Sequence, residues 1–247
     1  MAIQRINLIG VPVDICSPEN LENEVMVIMD KPGTKQIIYL TIWVLLKARH
    51  NEDFAECLKT ASLILPISKS ILRGAKFLKK PIPVRYNPFD ASIQILSIMD
   101  SHYKNIYLLG STKKTLQKAE VNLRDTFPQL KILGRFIGYY AKSAEPGIVE
   151  AIFKSQPDLV LISDGVPEKN CWAYHRRNSF SSSIFLYYKE AFGIFSERIK
   201  RVKPKTFEKG QEFFVELAYN PFKIFLLFPF MWYILVLIWY KLFRNKQ

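Results

Sequence analysis

The sequence predicts an α/β protein: a Rossmann-like parallel sheet flanked by helices, followed by a basic and hydrophobic C-terminal appendage that associates with a membrane. Short, continuously apolar segments recur along the chain, and amphipathic helical segments alternate with them. Such alternation is typical of a parallel sheet with right-handed crossovers, and continuously apolar strands fit a sheet covered on both faces. We expect the α/β domain to span residues 1–195 and the appendage to span residues 196–247.

The individual elements follow from the spacing of apolar residues. Strands are expected where these residues run together, and helices where they recur three or four apart, as Leu21, Val25 and Ile28 do. The predicted strands cover residues 6–13, the first part of 35–46, 62–66, 105–109, 131–133 and 158–162. The predicted helices cover residues 18–30, the last part of 35–46, 52–61, 71–78, 115–127 and 146–155.

Composition and charge narrow the class of protein and of partner. The 247 residues are 49% hydrophobic and 23% charged, which excludes global disorder, and glycine and proline show no repeat that would indicate collagen or a solenoid. Lys and Arg total 35 against 22 Asp and Glu, a net charge of +13. This excess favours an anionic partner: nucleic acid, an acidic membrane surface or a phosphorylated ligand. A basic surface that only aids solubility is the alternative.

The cysteines and histidines give no sign of a metal or a disulfide framework. Cys16, Cys57 and Cys171 are an odd number with no Cys-x-x-Cys spacing, and His50, His102 and His175 lack the spacing of metal ligands. We therefore expect no metal and a reducing, cytosol-facing location. The N-terminal segment is interrupted by Asp14 and lacks a small-residue cleavage site, so it predicts a first strand and not a signal peptide.

Glycines follow two of the predicted strands, at Gly110–Ser111 and at Asp164–Gly165. Ligands of open parallel sheets bind beyond the carboxyl ends of the strands, and a glycine turn before a helix can hold a phosphate through free backbone N–H groups. Ordinary turn chemistry is the alternative. Neither a G-x-G-x-x-G motif nor a P-loop is present, which disfavours a standard dinucleotide fold or a P-loop NTPase.

The C-terminal part combines a basic run over residues 198–209 with an apolar, aromatic-rich stretch over residues 224–240. Seventeen residues lie at the short end of the membrane-spanning range, and Pro229 is expected to interrupt a helix there. Cations flank the stretch on both sides, so its orientation stays open and an in-plane or re-entrant segment is allowed. A buried C-terminal core helix is the alternative.

Four segments match one family in order and spacing. They are INLIGVPVD (6–14), PIPVRYNPFD (81–90), LLGSTKKTLQKAEVNLRDTFPQLKILGRFIGYY (108–140) and DLVLISDGVPEKNCW (158–172). With them the chain, over roughly residues 5–223, resembles the WecG/TagA/CpsF bacterial glycosyltransferases. The resemblance implies a Rossmann-like core that moves a hexose, typically N-acetylmannosamine, from a UDP-sugar to a polyprenyl-diphosphate-linked sugar for cell-surface polysaccharide synthesis. It also implies a basic C-terminal appendage that binds the membrane and completes the site.

We expect the apolar stretch over residues 224–240, helped by the basic run, to anchor the protein at the cytoplasmic face of the cell membrane. No cofactor beyond the UDP-sugar donor is expected. The resemblance also implies a set of substrate-binding residues. These are Thr41, Arg85, Gly110, Ser111, Gly138, Tyr139, Gly165 and Pro167.

Several expected catalytic positions differ from the family pattern. Ile67 stands where the family places the Asp that acts as base, and an Ile side chain cannot accept a proton. Trp43 replaces the Asn of a Thr-x-Asn motif, and Glu216 replaces a C-terminal Arg. The Lys-Gln-Glu run of the family is Glu168–Lys169–Asn170 here. Asp90 and Asp164 are the candidates for a substitute base.

Three hypotheses follow. The first is an active, divergent, membrane-associated glycosyltransferase. The second is a catalytically impaired member that binds a nucleotide-sugar or a lipid-linked glycan, or that acts as a scaffold. The third, nucleic-acid binding, rests on charge alone and is disfavoured, because the basic residues cluster beside the apolar tail and no nucleic-acid-binding motif is present. The sequence does not indicate the sugar, the acceptor or the oligomeric state.

Overall fold

The elements of the fold are taken from a computed structural model that describes residues 3–201, 204–210 and 227–243. Within these ranges the strands are β1 (Gln4–Leu8), β2 (Val11–Ile15), β3 (Gly33–Leu40), β4 (Leu63–Pro66), β5 (Asn105–Leu109), β6 (Lys131–Phe136), β7 (Leu159–Ile162) and β8 (Ser182–Tyr187). The helices are α1 (Leu21–Met29), α2 (Ile42–His50), α3 (Glu52–Lys59), α4 (Lys69–Phe77), α5 (Pro88–Ser101), α6 (Lys113–Thr126), α7 (Glu145–Ser155), α8 (Trp172–His175), α9 (Ala191–Phe195), α10 (Pro204–Lys209) and α11 (Leu227–Phe243).

Strands β3 to β8 form one parallel sheet in the order β4-β3-β8-β7-β5-β6. The predicted strands at 105–109 and 158–162 are neighbours in it, with Ile106 opposite Leu159 and Leu109 opposite Ile162. Buried side chains of β3, β5 and β7 point alternately into core clusters on the two faces. Covering both faces explains why these strands are continuously apolar, and the predicted α/β class is confirmed.

The N-terminal segment is a hairpin, so the prediction of one strand over residues 6–13 is wrong. Strands β1 and β2 pair antiparallel, with Leu8 opposite Val11. Between them Ile9 (φ 55°) and Gly10 (φ 87°) are both left-handed, and the Asn7 side chain accepts a hydrogen bond from the Gly10 N–H at 2.7 Å. Two left-handed residues match the twist of a tight hairpin, which reverses the chain inside an apolar run.

A partly buried ion pair connects the hairpin to the main sheet. Arg5 donates from Nε to Asp14 Oδ1 at 2.6 Å and from its terminal nitrogen to Asp14 Oδ2 at 2.8 Å. The second carboxylate oxygen also accepts from the backbone N–H of Ile64 in β4, at 2.7 Å. One side chain thus joins β1, β2 and β4.

Helix α5 and the central strand β8 are among the elements that were not predicted from the sequence. Helix α5 begins with a recognisable signal, because the Asn87 side chain accepts from the Phe89 N–H at 3.1 Å and Pro88 occupies the first turn. Strand β8 opens with serines that are typical of turns, yet it lies between β3 and β7. Its burial comes from its neighbours on both sides.

Helix α11 packs one face on the core. Tyr233, Val236 and Leu237 are buried, the Tyr233 hydroxyl donates to the Ser70 carbonyl at 3.0 Å, and Gly74 of α4 leaves room for the ring. The opposite face is exposed and apolar. Its large side chains include Phe228, Met231, Trp232, Leu235, Ile238, Trp239 and Leu242.

Pro229 lies in the first turn of the described part of α11, a position that a helix tolerates, so the predicted interruption at Pro229 stays a prediction. No helix within the described ranges has both the length and the apolar character needed to cross a membrane. The predicted apolar stretch begins at residues 224–226, which lie outside those ranges, as do residues 202–203 of the basic run and Glu216. The division of the chain at residue 195 stays a prediction.

Candidate functional site

A cavity of about 740 Å³ opens at the carboxyl ends of β3, β4 and β8. Thr41, Ile67 and Tyr188, each directly following one of these strands, line it. The chain leaves β3 towards β4 through α2 and α3, whereas after β8 it enters α9, which is held to α6 by a hydrogen bond from Asn122 to the Phe195 carbonyl. Neighbouring strands with diverging connections create a crevice, which is where open α/β sheets bind ligands.

The cavity brings together Thr41 and Arg85, two of the predicted substrate-binding residues, with Ile67 and Asn170. Thr41 is held in place as the cap of α2, because its hydroxyl accepts the Val44 N–H at 3.2 Å. Arg85 bridges two elements. Its Nε donates to the Ile67 carbonyl at 2.9 Å, and a terminal nitrogen donates to the Phe207 carbonyl at 2.6 Å.

The C-terminal helices close one side of the cavity. The Arg85 guanidinium lies 3.8 Å from the centre of the Phe207 ring, a cation–π contact that adds to the hydrogen bonds. Gly210 of the segment after α10, and Leu227 and Phe230 of α11, complete this wall. Arg85 therefore ties the appendage to the sheet, in addition to any contact it makes with a ligand.

Cationic side chains outnumber carboxylates among the described residues that line the cavity. Lys69, Arg73, Arg85 and Lys189 supply cations, and Glu190 is the sole carboxylate among the described lining residues. The side chain of Glu190 is exposed at the start of α9. An apolar floor with four cations suits a ligand that carries several negative charges.

The two carboxylates proposed from the sequence lie elsewhere. Asp90 is exposed in the first turn of α5, and Asp164 accepts a hydrogen bond from the Tyr139 hydroxyl at 2.8 Å. Neither lines the cavity. Their suggested role as a substitute base is therefore not supported by their position.

The predicted glycine turns form a separate cluster at the ends of β5, β6 and β7. The Ser111 N–H donates to the Asp164 carbonyl at 2.6 Å, and the Gly138 N–H donates to the Ser111 carbonyl at 2.7 Å. The Tyr139 N–H donates to the Gly165 carbonyl at 2.7 Å. A Cβ at Gly138 would lie 2.5 Å from the Asp164 carbonyl oxygen, so only glycine fits this contact.

These hydrogen bonds within the glycine cluster limit its capacity to bind a phosphate. The N–H groups of Gly110 and Ser111 already donate to Phe136 and Asp164, so the expectation that they are free to hold a phosphate is wrong. None of the cluster's residues lines the cavity, and neither does Pro167. The cluster reaches the cavity rim indirectly, because the Ser163 hydroxyl donates to the carbonyl of Lys189 at 2.8 Å.

Comparison with known proteins assigns the chain to a family. Residues 6–247 match the glycosyl transferase WecG/TagA/CpsF family. The chain belongs to this family. An N-acetylglucosaminyldiphosphoundecaprenol N-acetyl-beta-D-mannosaminyltransferase from Bacillus spizizenii is 24% identical over 175 residues, covering 71% of this chain and 67% of the relative. A protein of the same name from Staphylococcus aureus is 20% identical over 207 residues, covering 83% of this chain and 80% of the relative.

In this WecG/TagA/CpsF member, four polar residues that line the cavity were not predicted from the sequence. Tyr187, Tyr188, Lys189 and Glu190 follow β8, whose position in the sheet was not predicted. The signal that could have found them is the run of polar side chains directly after the apolar stretch at residues 184–186. Polar residues at the carboxyl end of a buried strand are candidates for ligand contact.

Three tyrosines of the cavity remain neutral donors at physiological pH. Burial raises the pKa of Tyr39 and Tyr188 well above the usual value, and burial with the nearby Asp164 raises the pKa of Tyr187 to about 12. A protonated phenol donates a hydrogen bond without adding charge. The Tyr39 hydroxyl is already within 2.9 Å of the Ser92 hydroxyl, which leaves Tyr187 and Tyr188 as the better candidates for sugar contacts.

Proposed function

We propose that this protein is a membrane-associated glycosyltransferase. It moves an N-acetylmannosamine-like hexose from a UDP-sugar to a polyprenyl-diphosphate-linked sugar. The observation that carries the proposal is the cavity at the β3–β8 crevice, whose described lining residues combine four cationic side chains with a single carboxylate and an apolar wall. Both substrates of such a reaction carry a diphosphate, and one is a lipid. The relatives' names, which describe mannosaminyl transfer to a diphosphoundecaprenol-linked sugar, support the same substrate classes.

In this proposal the cations stabilise the diphosphate leaving group. As the bond between the donor sugar's anomeric carbon and UDP breaks, the electron pair leaves with the diphosphate, and negative charge develops on it. Lys69, Arg73 and Lys189 line the wall where that charge would be stabilised. Tyr187 and Tyr188 are neutral donors suited to orienting the hexose.

Glu190 is our proposed general base. The acceptor hydroxyl loses its proton to the Glu190 carboxylate while its oxygen forms the new bond to the anomeric carbon. The family's usual base position holds Ile67, and among the described residues that line the cavity no other side chain is a carboxylate. The base would thus come from the end of β8 and not from the end of β4.

The lipid part of the acceptor has a matching groove beside the cavity. A second cavity of about 660 Å³ lies between α2 and α11, lined by Trp43, Leu46, Phe228, Met231 and Leu235 among others. Trp43 lines both cavities, so the groove adjoins the cationic site. A polyprenyl chain in this groove would place its diphosphate near the cations.

Membrane attachment is proposed through the exposed face of α11, lying in the plane of the membrane. Replacing Leu235 and Ile238 together by glutamate should weaken vesicle binding at least tenfold, because burying each large apolar side chain contributes about 1.5–3 kcal/mol. The measurement is co-sedimentation with vesicles of phosphatidylcholine and phosphatidylglycerol. Both side chains are exposed, at 57% and 42%, so the fold should tolerate the change.

The matched control is Val121→Glu, which adds a charge at a residue of α6 with a similar exposed fraction, 56%. It should bind vesicles as the unaltered protein does. Equal binding by the double variant would contradict attachment through α11.

The function itself is tested by transfer of labelled sugar. The full chain is incubated with UDP-N-acetylmannosamine and a short-chain polyprenyl diphosphate carrying N-acetylglucosamine, and the lipid product is separated by chromatography. Product formation supports the transferase. The second candidate, a binding protein without catalysis, is favoured by Ile67 at the usual base position. It predicts UDP binding by calorimetry with no product, and absence of both would contradict both candidates.

A further inference from the structure

Two pairs of metal-ligating side chains meet on the side of the sheet occupied by α3 and α8. Asp53 and Cys57 are four residues apart on α3, and Cys171 and His175 are four residues apart at α8. Residues at this spacing share one helix face. Donor atoms of Asp53, Cys171 and His175 all lie within 4.8 Å of one another. The Cys57 thiol donates to the carbonyl of Asn170, the residue before Cys171, at 3.5 Å.

We propose that these four side chains form a structural zinc site, with Asp53, Cys171 and His175 as ligands and Cys57 as the fourth. Thiolate, imidazole and carboxylate are the donors that Zn²⁺ takes in tetrahedral sites. Zinc–ligand bonds of about 2.0–2.3 Å place neighbouring ligands roughly 3.5 Å apart. Asp53 and His175 are exposed and can rotate to bring their donors closer together, whereas the two thiols are buried.

The surroundings of His175 match those of a metal-bound imidazole. Its Nδ1 lies 2.6 Å from Glu168 Oε2, and its Nε2 points towards Asp53, at 2.8 Å from Oδ2. A carboxylate on the far nitrogen fixes the ring and leaves the near one for the metal. Glu168 is itself held by Arg176, which donates to both of its carboxylate oxygens.

Without a metal, the same contacts would be a histidine between two carboxylates. Burial lowers the pKa of His175, but hydrogen bonds to Glu168 and Asp53 outweigh it and raise the pKa above its usual value. Both carboxylates and the nearby Lys47 face this cluster. A salt-bridged imidazolium is therefore the competing state, and it needs neither cysteine.

The site would hold a strained segment of the cavity in place. Glu168 (φ 59°) and Lys169 (φ 53°) are both left-handed, a cost for side chains with a Cβ. The next residue, Asn170, lines the cavity, and its carbonyl accepts from Gln36 Nε2 at 2.7 Å. Zinc on Cys171 would fix this turn from its other end. The inference stands whether or not the protein transfers sugar.

The test measures the metal directly. The full chain is purified with reductant and dialysed, and zinc is counted by mass spectrometry. About one zinc per chain is expected. Cys171→Ser and His175→Gln should lose it, Cys57→Ser should bind more weakly, and Glu168→Gln should lower affinity roughly 10–100-fold. Cobalt substitution should give a thiolate-to-cobalt absorption band that Cys171→Ser lacks.

Two variants serve as matched controls. Cys16 is a buried cysteine in another part of the core, and His102 pairs with Glu22 away from the cluster. Cys16→Ser and His102→Gln should keep the zinc and the cobalt band. Circular dichroism confirms that each variant is folded. Zinc-free protein with no cobalt band, metal loss in the controls, or a Cys57–Cys171 disulfide in the reductant-purified chain would overturn the proposal.

Discussion

Replacing Glu190 by glutamine is expected to lower the rate of sugar transfer by about 10²–10⁴-fold, the usual contribution of a general base. Glutamine keeps the size and the polarity of the side chain but cannot take the proton of the acceptor hydroxyl. The loss should fall on kcat, because proton transfer contributes in the transition state and little to substrate binding. Initial rates over a range of acceptor concentrations separate the two effects.

Ile67 offers a second, opposite test of the same assignment. An Ile67→Asp change places a carboxylate where the family has its base, on the wall of the same cavity. In the Glu190→Gln background it should restore part of the lost activity. Asp90→Asn is the control, because Asp90 is a carboxylate outside the cavity and its loss should leave the rate unchanged. Full activity of Glu190→Gln would rule out Glu190 as the base.

Asp14→Ala should lower the free energy of unfolding by about 3 kcal/mol, the low end of the range for breaking a buried ion pair. The carboxylate is only 2% exposed, and its removal leaves the Arg5 guanidinium and the Ile64 N–H without their partner. Arg5 is 36% exposed, so water compensates part of its loss. Urea unfolding followed by circular dichroism measures the change.

The control for this second prediction is an ion pair of similar length on the surface. Lys118 and Glu197 are 2.7 Å apart, and both side chains are more than half exposed. Glu197→Ala should change stability by less than about 1 kcal/mol. If Asp14→Ala is equally mild, the hairpin is held by its apolar packing and not by the ion pair.

Much of the sheet could be predicted because it depends on local patterns. Strands β5 and β7 are short apolar runs, and α6 carries Leu116, Ala119 and Leu123 on one face, all of them buried. Such periodicity reports on burial at each position and does not require knowledge of partners. The hairpin was not predicted because a turn through Ile9 and Gly10 leaves the apolar run unbroken.

The candidate site was predicted in part for a related reason. Thr41 and Arg85 were found through the family resemblance, and both line the cavity. Glu190 was not predicted because its candidate role depends on which residues lie around it in the folded chain. A Glu after a strand is unremarkable until β8 is placed beside β3, where its end faces Ile67 across the crevice.

By itself, the amino-acid sequence determined the α/β class, most of the elements and the family, since all three follow from residues near one another along the chain. Tertiary structure alone decided which groups share a cavity, which face of α11 is buried, and that Asp53 meets Cys171 and His175. The physical reason is that each metal-ligating pair, on α3 and at α8, satisfies only its own helix spacing. The distance between the pairs is set by the packing of α3 and α8 against the sheet, which no local pattern encodes.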